Sequence, residues 1–176
     1  MGSKGYSPVM RAFSKSTLIV FAFFVLATQL VFSQTNKVFE FPKLPADTKA
    51  FLMTADEFTL LSLDPNRDAG RKAKVAFKGY RVVGSTPIVA SEERTNLVNA
   101  LENGIANANA VIFCFNPRHG IRAKKAGQTM ECLICFECAQ VIIYSNSTTN
   151  GYGTSSEPSK TFNDSLTIHK VPLAPE

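Results

Sequence analysis

Cysteines, charged residues and long apolar runs are all scarce in this 176-residue sequence, although its formal net charge is +5. Four cysteines are too few for a scaffold stapled by disulfides, so we expect a hydrophobic core to supply most of the stability. Charged residues make up 19% and hydrophobic residues 45% of the chain, which excludes a protein that is disordered throughout. The apolar run at residues 18–27 is shorter than the roughly 20 residues that a membrane-spanning helix needs.

Residues 1–33 are predicted to be a secretory signal peptide. They contain no acidic residue, and their basic residues are Lys4, Arg11 and Lys15. A basic start, a short apolar core and small residues near a cleavage site are typical of such peptides. We predict cleavage after Ser33, with a second site after Ala27, and the alternative is a segment retained as a membrane anchor. Neither site has a neighbouring cysteine, so lipid attachment through cysteine is not predicted.

The basic character of the chain is mostly local. Removal of residues 1–33 leaves 16 basic and 14 acidic residues, which is close to neutral. Because non-specific nucleic-acid binding needs many phosphate contacts, no nucleic-acid partner is predicted. The predicted location is secreted or periplasmic, in a bacterium, with membrane contact only through an uncleaved signal segment. The partner itself is left unknown.

Residues 34–176 are predicted to form one α+β domain built on an antiparallel sheet, because strands and helices come in clusters and do not alternate as βαβ units. The predicted strands span residues 58–63, 75–84, 110–115 with a continuation at 121–123, and 129–144. The predicted helices are a short one at 47–54, a main one starting at 91, and a short one at 162–168. Residues 67–74 are predicted to form a turn, and residues 145–161 a polar flexible loop.

The main helix has the clearest pattern. Ser91 is a good N-cap residue, and two glutamates follow it in the first turn, where carboxylates favour the positive end of the helix dipole. Apolar residues then recur at helical spacing on one face, at Leu97, Val98, Leu101 and Ile105.

The cysteines, Cys114, Cys132, Cys135 and Cys138, suggest a disulfide. If a hairpin turn is centred on Ala126, Cys114 faces Cys138 at a separation that a disulfide tolerates, so this pair is the first candidate. A bulge at Pro117 would shift the register and make Cys135 the partner of Cys114. A bridge between Cys135 and Cys138 is not expected, because residues i and i+3 of a strand point to opposite faces.

Two other functions remain open for the cysteines. A zinc-binding protein would use a Cys₃His set, whose members are Cys114, His119, Cys135 and Cys138. A thiol-dependent redox protein would pair Cys114 with His119. Cys132 and Cys135 also fit the role of small buried hydrophobic residues. No catalytic residue is assigned, and zinc is the one cofactor considered.

The loop at residues 117–125 carries four basic residues and His119. Arg118, His119 and Arg122 are candidates for binding an anion or a partner, because arginine holds an oxyanion through paired hydrogen bonds. The interpretation that we favour over ligand binding is that both arginines form ion pairs with Glu131 or Glu137 of the adjoining strand, and that His119 is a structural, hydrogen-bonded histidine.

The string CFNPRHGIR at residues 114–122, followed by ICFEC at residues 134–138, resembles a pattern in a family of small secreted or lipid-anchored bacterial proteins. The matching positions are Cys114, Pro117, Arg118, His119, Arg122, Cys135, Glu137 and Cys138, and Cys132 lies outside the pattern. The family has no known activity, so the resemblance implies no mechanism. It does imply that Cys114, His119, Cys135 and Cys138 act as one unit. We therefore predict a secreted or periplasmic protein of unknown activity whose Cys/Arg/His cluster is structural, through a disulfide, with anion or partner binding as a candidate further role.

Overall fold

The computed structural model describes residues 41–110, 112–146 and 148–175, which contain four helices and seven strands. The helices are α1 (Ala46–Met53), α2 (Arg67–Lys72), α3 (Ser91–Ala106) and α4 (Ser159–Ile168). The strands are β1 (Glu57–Asp64), β2 (Ala76–Phe77), β3 (Tyr80–Pro87), β4 (His119–Lys125), β5 (Gln128–Cys135), β6 (Gln140–Ser145) and β7 (Thr148–Gly153).

All seven strands pair in one antiparallel sheet with the order β2-β3-β1-β4-β5-β6-β7. Strands β4 to β7 follow one another as a meander, and β1 joins this meander to β3 by pairing with β4, with Leu60 opposite Ile121. The predicted α+β class with an antiparallel sheet is confirmed.

One face of the sheet is covered by helices. The apolar stripe predicted for α3 is buried against this face, as are Leu52 of α1 and Phe162 of α4. The sheet contributes Phe58, Leu60, Ile121, Ala123, Cys132, Ile134, Val141 and Ile143 to the same core. Because fully burying one large apolar side chain contributes about 1.5–3 kcal/mol, this core holds α3 and α4 to the sheet.

The other face of the sheet carries a smaller apolar cluster. Its buried members are Leu61, Leu63, Phe77, Tyr80 and Leu133, and Phe115 packs against them from the segment before β4. Tyr80 is fully buried, yet its hydroxyl is satisfied, because it donates to the carbonyl of Phe115 (3.2 Å) and accepts from Nε of Arg67 (3.0 Å). Both faces of the central strands are therefore covered. The contacts of Phe115 with this second cluster hold the segment before β4 against the sheet.

Several local predictions were wrong. The predicted turn at residues 67–74 contains helix α2, because the Asn66 side chain accepts from two backbone N–H groups and caps it. The predicted strand at 75–84 is split by a turn at Lys78 and Gly79, and the one at 129–144 by a turn at residues 136–139. The described part of residues 110–115 has no strand, and the predicted flexible loop contains β7. The α3 N-cap is Ala90, and Ser91 makes no capping bond.

The predicted signal peptide, residues 1–33, lies outside the described residues. Within the part of the chain that the structure describes, none of the helices has the length and apolar character needed to cross a bilayer.

Candidate functional site

The cysteine pair lies at a tight turn between β5 and β6. Strand β5 ends at Cys135, the N–H of Ala139 donates to the carbonyl of Phe136 (3.2 Å), and Ala139 adopts a left-handed φ of 53° before β6 begins. This turn brings the Cα atoms of Cys135 and Cys138 to 5.2 Å, and the two residues form a disulfide. The expectation that they could not bridge was wrong, because it assumed a continuous strand through both of them.

Cys114 is also at this turn. Its Sγ lies 2.8 Å from Sγ of Cys138, while Cys114 itself is a free, exposed cysteine. The predicted disulfide between Cys114 and Cys138 therefore does not form, although the two sulfur atoms are in contact. The reason given for it was also wrong, because Cys114 lies in the loop before β4 and the hairpin turns about Ala126 and Gly127 together, with Lys125 opposite Gln128. The second candidate, Cys114 with Cys135, is excluded as a bond because Cys135 already pairs with Cys138.

Cys132 belongs to the main core rather than to this site. It is fully buried on β5 and free. Burial raises the pKa of its thiol to about 12, because the thiolate would lose its hydration, and the nearby Glu131 carboxylate adds to the shift. Cys132 thus acts as a small hydrophobic residue, as one of the alternatives predicted.

A cleft of about 260 Å³ adjoins the disulfide turn. The two residues enclosed by the disulfide, Phe136 and Glu137, form part of its wall. The remaining lining residues are Asn116, Arg118, His119, Ser156, Ser159, Asn163, Leu173 and Ala174. The cleft therefore joins three regions of the chain: the CFNPRHGIR segment, the disulfide turn, and α4 with the C-terminal segment.

His119 is packed between two aromatic rings at the base of this arrangement. Its ring centroid lies 5.4 Å from that of Phe136 and 5.6 Å from that of Phe162, and the residue is 5% exposed. Its Nε2 donates to Oδ1 of Asn163 (2.8 Å), and Nδ1 is buried without a partner among the described residues. Burial lowers the pKa of His119 to about 4, against the opposing effect of the Asn163 hydrogen bond. The imidazole is therefore neutral at pH 7.

Arg118 and Arg122 lie in different places. Arg118 reaches the cleft, where its Nε is 3.1 Å from Oε1 of Glu137 and its Nη1 donates to the carbonyl of Pro175. Arg122 extends from β4 over the ring of Phe77, in the smaller apolar cluster on the sheet face opposite α1, α3 and α4, and binds Glu131 at 2.8 Å. The predicted ion pairs of the two arginines with Glu131 and Glu137 are confirmed. Of the three candidates for binding an anion or a partner, Arg118 and His119 lie together at the cleft and Arg122 does not.

The zinc set does not form. Within the described residues, no three His, Cys, Asp or Glu side chains are placed to share a metal ion. His119 is turned into the helix-side core and bonded to Asn163, while Cys135 and Cys138 bond to each other. The structure therefore gives the predicted site at Cys114, His119, Cys135 and Cys138 no support.

Sequence reasoning missed the contribution of α4. Asn163 and Ser159 line the cleft from a helix that follows β4 by many residues, and no local pattern links them to His119. The positions of Phe136 and Glu137 at the disulfide turn could have been predicted from the sequence, because any disulfide between Cys135 and Cys138 must enclose these two residues. Comparison with family models, curated proteins and solved structures finds no match to this chain.

Proposed function

We propose that this chain is an exported protein, secreted or periplasmic, whose disulfide shapes the wall of an adjoining cleft, and that this cleft binds a small oxyanion-bearing ligand. The observation that carries the proposal is that the Cys135–Cys138 disulfide encloses Phe136 and Glu137, and that both line the cleft with Arg118 and His119. A disulfide supports an oxidising compartment, in agreement with the signal-like sequence of residues 1–33.

Arg118 is the group that would recognise the anion. Its guanidinium has donors for a carboxylate or a phosphate, and its side chain is 23% exposed. In the absence of a ligand it interacts with Glu137, whose side chain is 65% exposed. Most of the Glu137 side chain is in solvent, and the buried Nε of Arg118 has no hydrogen-bond partner among the described residues, so an incoming oxyanion can displace the Glu137 carboxylate.

His119 has a supporting role in this proposal. A neutral imidazole held by Asn163 and packed against Phe136 fixes the wall of the cleft without adding charge. Among the described residues that line the cleft, Arg118 is therefore the one cation and Glu137 is the one displaceable anion.

The proposal is tested by titrating the purified protein with acetate and with inorganic phosphate, while NMR chemical shifts report on the Asn163 side chain. Glu137→Gln removes the competing carboxylate and should tighten binding by about fivefold, which corresponds to roughly 1 kcal/mol. Arg118→Gln should abolish it. Glu57→Gln is the matched control for Glu137, because Glu57 is equally exposed (64%) and pairs with Lys124 away from the cleft.

Arg122→Gln is the control for Arg118, because Arg122 lies on the other face of the sheet and pairs with Glu131. It should leave the titration unchanged. The proposal is overturned if Arg118→Gln and Arg122→Gln respond alike, or if neither anion shifts the Asn163 signals of the Glu137→Gln variant.

A further inference from the structure

Three sulfur atoms meet at the disulfide turn. Sγ of Cys138 is bonded to Sγ of Cys135 and lies 2.8 Å from Sγ of Cys114. Reacting atoms that are held within about 3–3.5 Å are close enough for an intramolecular displacement. Thiol–disulfide exchange begins with the attack of a thiolate on a disulfide sulfur, and this distance places Cys114 within reach of Cys138.

The three cysteines differ in their access to solvent. Cys135 and Cys138 are each 1% exposed, whereas Cys114 is exposed. A reagent or partner in solution can therefore reach Cys114 and cannot reach the disulfide directly. The fourth cysteine, Cys132, is fully buried in the core and is not part of the cluster.

The segment that carries Cys114 is held against the turn by hydrogen bonds. The N–H of Ile112 donates to the carbonyl of Cys138 (3.2 Å), and the N–H of Asn116 donates to Sγ of Cys138 (3.4 Å). From the start of β6, Nε2 of Gln140 donates to the carbonyl of Cys114 (2.9 Å). The short distance between the sulfurs of Cys114 and Cys138 is therefore supported from both sides of Cys114.

We propose that Cys114, Cys135 and Cys138 form a thiol–disulfide exchange centre, in which the exposed Cys114 connects the buried disulfide to dithiols in solution. In the internal step, the Cys114 thiolate attacks Sγ of Cys138. The Cys114–Cys138 bond forms, the Cys135–Cys138 bond breaks, and Cys135 leaves as a thiolate that takes up the proton lost by Cys114. No external oxidant or reductant is needed, because one disulfide replaces another.

The external step transfers two electrons from a dithiol, which is the partner class that we assign. A dithiol thiolate attacks the exposed Sγ of Cys114, forming a mixed disulfide and releasing Cys138 as a thiol. The second thiolate of the dithiol then attacks the other sulfur of the same dithiol, which is bonded to Cys114 in the mixed disulfide. Cys114 leaves as a thiol. The dithiol ends as a disulfide, and Cys135 and Cys138 end reduced. This reaction is independent of the anion proposed for the cleft.

The internal step is tested by peptide mapping without reductant. Trypsin leaves Cys114 in the peptide of residues 95–118 and the other cysteines in residues 126–160, so a Cys114–Cys138 bond links two peptides and a Cys135–Cys138 bond does not. After incubation at pH 8 and acid quenching, wild-type protein should give both forms. Cys135→Ser has no disulfide to exchange, so it should give the linked peptides alone once oxidised glutathione is added as the oxidant, and Cys132→Ala should behave as wild type. Absence of linked peptides from both wild type and Cys135→Ser overturns the proposal.

The relay is tested by the rate at which dithiothreitol reduces the Cys135–Cys138 disulfide, followed by alkylation and mass measurement. Cys114→Ser should slow this reduction by about tenfold or more, because access limits thiol–disulfide exchange. Cys132→Ala also removes one thiol but lies outside the cluster, and should leave the rate unchanged. Equal rates in wild type and Cys114→Ser would refute the relay. Neither experiment involves anion binding, so this proposal and the proposed function can fail separately.

Discussion

The buried imidazole of His119 makes the stability of the fold depend on pH in a defined window. In the folded protein its pKa is about 4, whereas an unfolded chain has the ordinary value of 6.5. The folded state thus binds a proton less readily than the unfolded state. Stability from this group is present above pH 6.5 and is lost as the pH falls through the interval between 6.5 and 4. The groups facing His119 are Arg118, which lowers its pKa further, and Glu137, which opposes this effect.

The magnitude follows from the two pKa values. Between pH 7 and pH 5 the unfolded imidazole becomes almost fully protonated and the folded one stays neutral, which costs about 2 kcal/mol of unfolding free energy. A charged imidazole would also have to bury an N–H donor at Nδ1, for which the described residues offer no partner.

The assay is urea unfolding of wild type and His119→Gln at pH 7, 6 and 5. Glutamine can still donate to Asn163 but does not titrate, so wild type should lose about 2 kcal/mol more than the variant between pH 7 and pH 5. The carboxylates are common to both proteins and cancel in this difference. His169, the other histidine of the chain, is also common to both proteins and cancels in the same way. Parallel pH profiles for wild type and His119→Gln would refute the reasoning.

Two other predictions concern packing and export. Gly120→Ala should destabilise the protein by about 1–3 kcal/mol in thermal or urea unfolding, because the new Cβ would lie 2.9 Å from Cε1 of Phe77. Gly151→Ala, with no atom within 4 Å of its Cβ, should cost little, and equal losses would contradict the packing argument. Expressed in a bacterium with residues 1–33, the chain should be recovered outside the cytoplasm with Gln34 as its first residue. Intact mass measures this, and an uncleaved chain in the cytoplasm would contradict it.

The elements that the sequence predicted well have a repeated local pattern. Helix α3 buries the four apolar residues that recur at helical spacing, because an amphipathic stripe is sufficient to place a helix on a sheet. The ion pair of Arg122 with Glu131 was also predictable, because these residues are directly opposed in the hairpin of β4 and β5. Arg118 and Glu137 pair just beyond the open end of the same hairpin.

The disulfide and the cleft were not predictable, because they depend on tertiary contacts. Residues 136–139 contain neither glycine nor proline, and Ala139 adopts a left-handed conformation that side chains rarely favour. The sequence of residues 129–144 therefore favours one continuous strand, and the turn at residues 136–139 is imposed by the tertiary fold. Asn163 reaches His119 across 44 residues of sequence, a separation at which no periodicity carries information.

The strand order has a consequence for how the chain folds. Strands β4 to β7 pair with their neighbours in sequence, and β3 pairs with β2 across a two-residue turn, so these parts close short loops. The seam between β1 and β4 is different, because it joins residues 57–62 to residues 119–124. Long-range pairings of this kind slow folding, since the chain entropy is lost before the contacts form. The Cys135–Cys138 turn lies within the local meander, so we expect its two cysteines to come together before the seam between β1 and β4 closes.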